Sequence, residues 1–240
     1  MSSKIRLYFS KEIQSDLISH LSDQQSHYLK DVMRLKPGDS LSIFNSDGEW
    51  HAIVENYEKG NAKIKILKKM RDKKNEKNIW LAFSPIKQNS LNFMIQKATE
   101  LGVQKFVPVI CERSSVKDIN IERLKKIIIE SSEQSNRIAL PKIIKKEALK
   151  NFLNNFPKDG LIIFCDINYE EKNLKDIFSK KIVGPICILV GPEGDFSESE
   201  RQFIIDLKQS CSLSLSSNIL KTETAAVAAV TIVNFQLNST

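Results

Sequence analysis

Strands and helices alternate through the last two thirds of this 240-residue chain, and that rhythm restricts the fold more than any single residue does. Runs of apolar and β-branched residues predict strands at 79–83, 103–109, 161–165, 186–190 and 212–215. Helical spacing and capping signals predict helices at 91–101, 121–135, 148–152, 197–207 and 220–235. Alternation of this kind is typical of a mostly parallel α/β sheet.

The first 70 residues follow a different pattern. Strands are predicted at 5–9, 41–44, 50–54 and 62–67, with turn signals between them. Ser22 is a candidate cap for a helix that runs to Arg34. The charged stretch 68–77 is interpreted as a linker or an exposed hairpin end. We therefore expect a small barrel or sheet module at 1–72 and an α/β domain at 73–240.

Cysteine usage and hydropathy predict a soluble, cytoplasmic protein. Cys111, Cys165, Cys187 and Cys211 lie too far apart for a zinc pair or a CxxC motif, so reduced thiols are expected. The longest uncharged apolar run, 225–233, is far shorter than the roughly 20 residues of a membrane helix. The N-terminus has no apolar segment of the kind found in signal peptides.

The formal charge of +7 is unevenly distributed. Residues 73–150 carry 16 basic and 8 acidic side chains, whereas residues 151–240 carry 8 basic and 11 acidic ones. The basic excess is therefore concentrated in the middle of the chain, and the last third is acidic.

Residues 190–195, Val-Gly-Pro-Glu-Gly-Asp, join a predicted strand to a helix that Ser197 and Glu200 can cap. Ligands of open α/β folds bind at the carboxyl ends of strands, and glycines let backbone approach a ligand closely. The loop is neither a Walker loop nor a GxGxxG loop. The alternative is an ordinary tight turn.

A second loop, 215–226, also joins a strand to a helix, with Thr222 at the helix start and Glu223 near its positive end. The alternative here is a capped core helix. A third segment, Glu133–Arg137, ends a helix in the basic region. Arg137 is suited either to that helix terminus or to a phosphate or base.

Taken together and in order, these segments resemble one family. The matching stretches are Ile95–Val103, Pro108–Ser114, Glu133–Arg137, Leu189–Gly194 and Ile219–Ala225, preceded by Arg6, 27–29, 32–34 and 38–39. The chain is similar to the RsmE family, the ribosomal RNA uracil-N3 methyltransferases of the SPOUT superfamily. The resemblance spans nearly the whole chain.

The resemblance implies a PUA-like RNA-binding β-barrel at 1–72 and a SPOUT-type α/β domain with a C-terminal trefoil knot at 73–240. It implies S-adenosyl-L-methionine as cofactor and methylation of N3 of a uridine in 16S rRNA, near the decoding site of the small ribosomal subunit. It also implies a homodimer, with no metal and no membrane partner. The alanine-rich face of the last helix would suit close packing against the partner subunit.

The resemblance also assigns site residues. The cofactor would be held by Cys165, Leu189, Val190, Gly191, Pro192, Glu193, Gly194, Leu213, Leu215, Ser216, Asn218, Ile219, Leu220 and Thr222. Arg137 would stabilise the anionic uracil oxygens or hold a phosphate, and Glu133 or Glu223 would accept the N3 proton. RNA would be bound by Arg6, Arg34, Lys87, Lys97 and Arg113.

The chain departs from the family pattern at several positions. Asp195 stands where the family usually has a second glycine, and we expect it to tolerate the turn because Asp accepts unusual backbone angles. Ser216 replaces a common glycine and Lys221 a common arginine. Gln88, Ser90 and Asn92 also differ from the usual glycine, basic residue and glutamate.

Two alternatives remain open at this point. One is a related methyltransferase that acts on tRNA or on a ribose hydroxyl. The other is an RNA-binding protein that keeps the fold but has no catalytic activity.

Overall fold

The chain divides into two compact units in a computed structural model that describes residues 5–166, 178 and 182–239. The first unit comprises residues 1–75 together with 132–140, and the second comprises 76–131 and 141–240. The segment 132–140 is thus part of the first unit although it lies far along the chain.

Five strands form the sheet of the first unit, in the order β1-β3-β4-β5-β2. They are β1 (Arg6–Tyr8), β2 (Ile18–His20), β3 (Ser40–Asn45), β4 (Gly48–Glu58) and β5 (Asn61–Asp72). β1 runs parallel to β3, and the other pairs are antiparallel. The side chains of β5 alternate between buried and partly exposed as far as Ile66, which places Ala62, Ile64 and Ile66 in the core.

The prediction of one long helix from Ser22 to Arg34 is wrong in both the length and the type of the helix. Ser22 does cap a helix, through a capping box with Gln25, but this α1 ends after one turn and a half (Asp23–His27). A π-helical segment, Tyr28–Val32, follows it, and Arg34 then turns the chain with a φ of 56°. The charged stretch after residue 67 is partly strand, since β5 continues to Asp72.

The second unit contains a parallel sheet in the order β12-β10-β11-β6-β7-β8, with β9 paired to β7. Its strands are β6 (Ile79–Phe83), β7 (Lys105–Ile110), β8 (Lys142–Ile143), β9 (Glu147–Ala148), β10 (Leu161–Cys165), β11 (Ile186–Val190) and β12 (Ser210–Leu213). The described helices are α2 (Gln88–Glu100), α3 (Ile121–Gln134), α4 (Leu149–Asn155), α5 (Glu198–Ile205) and α6 (Thr222–Ser239). The last three residues of α3 belong to the first unit.

The central strands are largely apolar, as expected of a parallel sheet whose two faces are both covered by helices. All five residues of β11 are buried, as are four of the five in β6 and three of the five in β10. In the parallel register Cys165 lies beside Leu213 and Val190 lies beside Phe83. The carboxyl ends of β12, β10, β11 and β6 therefore meet along one edge of the sheet.

The alanine-rich face of α6 is used inside the protomer, which corrects our expectation for it. Ala226 and Ala229 have no exposed surface, and Asn234 of the same helix donates a hydrogen bond to the Leu101 carbonyl just after α2. Among the described helices, none combines the length and the apolar character needed to cross a bilayer.

Candidate functional site

The carboxyl end of β10 and the loops that follow β11 and β12 line a cavity of about 330 Å³ in the second unit. Its size falls at the lower end of the usual range for small-molecule pockets. The lining residues are Cys165, Asp166, Val190, Gly191, Pro192, Glu193, Asp195, Leu213, Ser214, Leu215, Ser216, Asn218, Ile219, Leu220, Lys221, Thr222 and Ala225. Three separate stretches of sequence thus converge at the carboxyl edge of the sheet, where ligands of such folds bind.

The first of these loops is a tight turn with a specific use for Gly191. A Cβ at Gly191 would lie 2.6 Å from the ring of Phe196, so the glycine is required by internal packing. The backbone N–H of Asp195 closes the turn on the Pro192 carbonyl at 3.0 Å. Asp195 adopts a left-handed φ of 59°, and its carboxylate accepts the N–H of Phe196 at 2.8 Å. The expectation that Asp would tolerate this turn is confirmed.

The same loop is braced at the start of α5. The predicted capping box is confirmed, since the Ser197 hydroxyl accepts the Glu200 N–H and the Glu200 carboxylate accepts the Ser197 N–H. The second carboxylate oxygen of Glu200 accepts the backbone N–H of Glu112 at 2.8 Å. Arg113 donates to the carbonyls of Gly194 and Phe196, at 3.4 and 3.3 Å. The stretch after β7 therefore supports the loop after β11.

The loop after β12 is linked directly to the loop after β11. Thr222 is the first residue of α6 and is almost fully buried, and its hydroxyl donates to the Gly191 carbonyl at 3.2 Å. Ser216, which replaces a glycine common in the family, accepts the N–H of Asn218 at 3.0 Å and so forms a side-chain turn. Ile219 projects outward with 85% of its surface exposed.

At the end of β10, Cys165 and Asp166 complete the cavity. Burial raises the pKa of the Cys165 thiol to about 12, which leaves it protonated and without nucleophilic character at neutral pH. The Asp166 carboxylate accepts two hydrogen bonds from Arg201, at 3.1 and 2.9 Å. Among the described residues, no cluster of histidine, cysteine and acidic side chains could hold a metal ion.

Twelve of the fourteen residues predicted to hold the cofactor line the cavity. The two that do not are Leu189, whose side chain is fully buried in the sheet core, and Gly194. The sequence reasoning missed five lining residues: Asp166, Asp195, Ser214, Lys221 and Ala225. Asp166 and Ser214 come directly after β10 and β12, so the position just beyond a strand end was the available signal for these two. Asp195, Lys221 and Ala225 lie farther from the strand ends and carry no such signal.

Two of the three predicted catalytic residues belong to the first unit. Arg137 is 7% exposed, its N–H donates to the Ser132 carbonyl at 3.2 Å, and its carbonyl accepts from Arg6 at 2.9 Å. The Glu133 carboxylate accepts the N–H of Tyr8 at 2.8 Å. Glu223, in the second unit, accepts from the Ser90 hydroxyl at 2.9 Å.

The five residues predicted to bind RNA fall into two groups. Arg34 and Lys87 are exposed and have no ion-pair partner within the described part of the chain. Lys97 is paired with Glu100, and Arg113 donates to loop carbonyls. The Arg6 side chain is largely buried and hydrogen-bonded within the first unit. Arg113 is exposed as well, so bonding to protein, and not exposure alone, separates these three residues from Arg34 and Lys87.

Comparison with known proteins covers both units. Residues 73–234 match the RNA methyltransferase domain family, and residues 21–67 match the RNA methyltransferase PUA domain family. The α/β fold with a preceding PUA-like module, which the resemblance implied, is confirmed.

Named relatives match over almost their full lengths. The ribosomal RNA small subunit methyltransferase E of Rickettsia conorii is 35% identical over 94% of this chain and 93% of its own length. The Aquifex aeolicus protein of the same name is 30% identical, over 95% and 98%. A crystal structure of the Neisseria gonorrhoeae protein bound to S-adenosyl methionine is 30% identical, with a TM-score of 0.87 over 96% of this chain and 97% of that one. The chain therefore belongs to the ribosomal RNA small subunit methyltransferase E family of RNA methyltransferases.

Proposed function

We propose that this protein transfers a methyl group from S-adenosyl-L-methionine to N3 of one uridine in 16S rRNA, near the decoding site of the small ribosomal subunit. The observation that carries the proposal is the cavity at the strand ends, lined by both family loops in a chain of this family. The Neisseria gonorrhoeae relative, whose fold this chain shares, was crystallised with the same cofactor.

The residues of the cavity suit that cofactor. Backbone groups of 190–195 and 214–219 offer N–H and C=O partners for its adenine and methionine ends. Val190, Leu215, Leu220 and Ala225 supply apolar surface for a flat ring. The acidic side chains Glu193 and Asp195 also line the cavity and favour a cationic ligand.

Bound S-adenosyl-L-methionine supplies an electrophilic methyl group on a positively charged sulfur. Uracil N3 carries a proton and becomes a good nucleophile only when that proton leaves. We assign Arg137 to the negative charge that develops on the uracil oxygens, or to a neighbouring phosphate. Glu133 and Glu223 are the two candidates for the proton acceptor, and replacement of each by glutamine distinguishes between them.

The N3 atom lies on the pairing edge of uracil, so the target base must be unpaired when it reaches the site. We place RNA contacts on Arg34 and Lys87, whose charged groups are exposed. Arg34 follows a π-helical segment and has a left-handed backbone, and both features are found disproportionately at functional sites. Tyr28, Val32 and Met33, all on the same short segment, expose 38%, 59% and 39% of their surface and can contact bases.

We further propose that residues 1–72 form the RNA-binding domain, that residues 73–240 carry the methyltransferase domain with a C-terminal trefoil knot, and that the protein acts as a cytoplasmic homodimer. The knot is proposed from the family to which the chain belongs, and the hydrogen bond from Thr222 to Gly191 brings together the two loops that it would involve. Exposed Ile219 and Phe235 support the dimer, since both are large apolar residues near or on α6.

The test is nucleoside analysis of rRNA. Small ribosomal subunits from cells that lack the gene are incubated with the protein and S-adenosyl-L-methionine, and the rRNA is digested and examined by mass spectrometry. We expect one N3-methyluridine per 16S rRNA, and loss of that product with a folded Arg137→Ala variant. Methylation of tRNA alone, or of 2′-oxygens, would contradict the proposal, and a protein without any transfer would point to RNA binding without catalysis.

A further inference from the structure

Arg6 lies at the centre of a hydrogen-bond network in the first unit that uses every donor of its guanidinium group. Nε and Nη2 donate to the two oxygens of Glu49, at 3.1 and 3.2 Å. Nη1 donates to the carbonyls of Ser132 and Glu133, at 2.9 and 2.8 Å, and Nη2 also donates to the carbonyl of Arg137 at 2.9 Å. A guanidinium has five N–H groups, so none remains for a phosphate.

The three carbonyls that Arg6 binds belong to the end of α3 and the turn beyond it. The last carbonyls of a helix have no partner within the helix and carry its negative dipole end. Arg6 supplies both the missing donors and a positive charge at that place. It therefore fulfils the helix-terminal role that the sequence also allowed for Arg137.

A second arginine fixes the residue just before Arg137. Arg71 donates to the backbone carbonyl of Asn136 at 2.8 Å and to its side-chain oxygen at 2.6 Å. Asn136 holds a left-handed φ of 65°. Glu49 lies between the two arginines and accepts hydrogen bonds from both. Ser132, Glu133, Asn136 and Arg137 are thus each bonded to β1 or β5.

Aromatic packing and β1 complete the arrangement. The Arg6 guanidinium lies 4.3 Å from the centre of the Phe44 ring, which restricts its plane. Tyr8, two residues along β1, donates its backbone N–H to the Glu133 carboxylate. The two residues of this segment with assigned chemical roles, Glu133 and Arg137, are both held through the same strand.

We infer that Arg6 is a positioning residue, which holds the segment 132–137 in its working geometry and makes no contact with RNA. This inference rests on the proposed function for its account of what Arg137 does. It replaces the expectation that Arg6 binds RNA phosphate.

Lysine cannot take over this role. An ammonium group has three donors around a point charge, whereas the network needs five donors in one plane. A displacement of a reacting group by about 1 Å can reduce turnover on the order of 100-fold. An RNA-phosphate contact, by contrast, would tolerate lysine because the charge is kept.

The test compares Arg6→Lys with the wild type in three measurements: kcat and KM for small ribosomal subunits, the salt dependence of RNA affinity, and amide hydrogen exchange of residues 132–137. We expect kcat to fall on the order of 100-fold, KM to change little, and exchange to quicken about tenfold. The slope of log affinity against log salt should stay unchanged. Lys59→Asn, at an exposed turn of the same unit, is the control for loss of a surface cation.

Arg34→Ala gives the opposite signature and calibrates the assay, because loss of a phosphate contact should reduce the salt slope by about 1. An Arg6→Lys protein with full kcat, or with a reduced salt slope, would overturn the inference. If Arg6→Lys does not fold, Arg71→Lys should show the same loss of kcat at constant slope, and unchanged kcat there would overturn it equally. If the wild-type protein does not methylate rRNA, only the proposed function is refuted. The hydrogen-exchange measurement still decides whether Arg6 holds the segment 132–137.

Discussion

The Arg6 network of the first unit and the cavity of the second unit differ in the chemical groups that form them and in what those groups bind. The network, made of Arg6, Glu49, Arg71 and the carbonyls of 132, 133, 136 and 137, largely buries the side chains of Arg6 and Glu49 and gives each charged group a partner. The cavity is lined mainly by backbone, hydroxyl and apolar groups, and Asp166, its buried carboxylate, is bonded to Arg201. The network connects segments of the same chain to one another, whereas the cavity is shaped to receive a ligand.

The difference teaches how to interpret a charged residue in such a chain. A guanidinium whose five donors are all bonded to protein, such as that of Arg6, acts as a structural support and has no donor left for RNA. The network should therefore be sensitive to the loss of one charge, whereas the cavity should be sensitive to changes of shape.

The largest effect is expected for Glu49→Gln. The side chains of Arg6 and Glu49 are 9% and 5% exposed, so the variant leaves buried positive charge without its carboxylate. Removal of one partner from a buried pair costs about 3 to 5 kcal/mol. Urea unfolding should register this loss, while Glu58→Gln, at an exposed pair with Lys63, should unfold like the wild type. Equal stability of the two variants would contradict the description of the network.

Acid should abolish the contribution that the Glu49 carboxylate makes to the stability of the fold. Burial alone would raise the pKa of Glu49, but hydrogen bonds and charge from Arg6 and Arg71 outweigh it and lower that pKa below 4.5. A carboxyl whose pKa is lower in the folded state stabilises the fold above its unfolded value and loses that contribution as the pH falls. The stability difference between wild type and Glu49→Gln should therefore be full at pH 7 and shrink below about pH 4.5. If the stability difference grew on acidification instead, folding would raise the pKa of Glu49 and not lower it.

A smaller effect, of shape alone, is expected for Gly191→Ala. The new Cβ would lie 2.6 Å from the Phe196 ring, so the loop must shift. Overpacking of this kind costs about 1 to 3 kcal/mol, and we expect the affinity for S-adenosylhomocysteine to fall at least tenfold. Gly194→Ala is the matched control, because its Cβ would meet Arg113 at an ordinary 3.5 Å. If both variants bind like the wild type in calorimetry, the loop does not shape the site.

The smallest effect is expected for Thr222→Val, which removes the hydroxyl that joins the two cavity loops. A single buried hydrogen bond contributes about 1 kcal/mol, so thermal unfolding should show a loss of that order. Thr224→Val, at an exposed position of the same helix, should be nearly neutral. A loss that is equal at both positions would assign the effect to helix propensity instead of the link between loops.

Much of the second unit could be predicted because its signals are local. Strands at 79–83, 161–165 and 186–190 have the predicted bounds, since short apolar runs buried on both faces have few alternatives. The first unit was harder. β2 has exposed ends and no apolar run, and the charged end of β5 pairs with β4 through its backbone, to which side-chain polarity gives no clue. The helix after Ser22 was overextended because its π-helical continuation keeps a helical pattern of residues.

The cavity loops could also be predicted from local sequence signals, whereas the Arg6 network could not. Glycines, hydroxyls and a capping box just after a strand mark the cavity loops from sequence alone. The three carbonyls that Arg6 binds lie 126 to 131 residues away along the chain, and no local pattern could connect them to it. Prediction therefore identified a chemically plausible arginine at position 6, and only the structure reveals that its donors are already used.

Calorimetric titration of the wild-type protein with S-adenosylhomocysteine tests the central claim most directly, because the cavity is assigned to this cofactor before any question of RNA. We expect saturable binding with a dissociation constant below about 1 mM, the upper end of the usual range for enzyme substrates. Binding should weaken with Gly191→Ala and remain unchanged with Arg6→Lys. No detectable binding at millimolar ligand would contradict the account of the cavity and of the methyl transfer built on it.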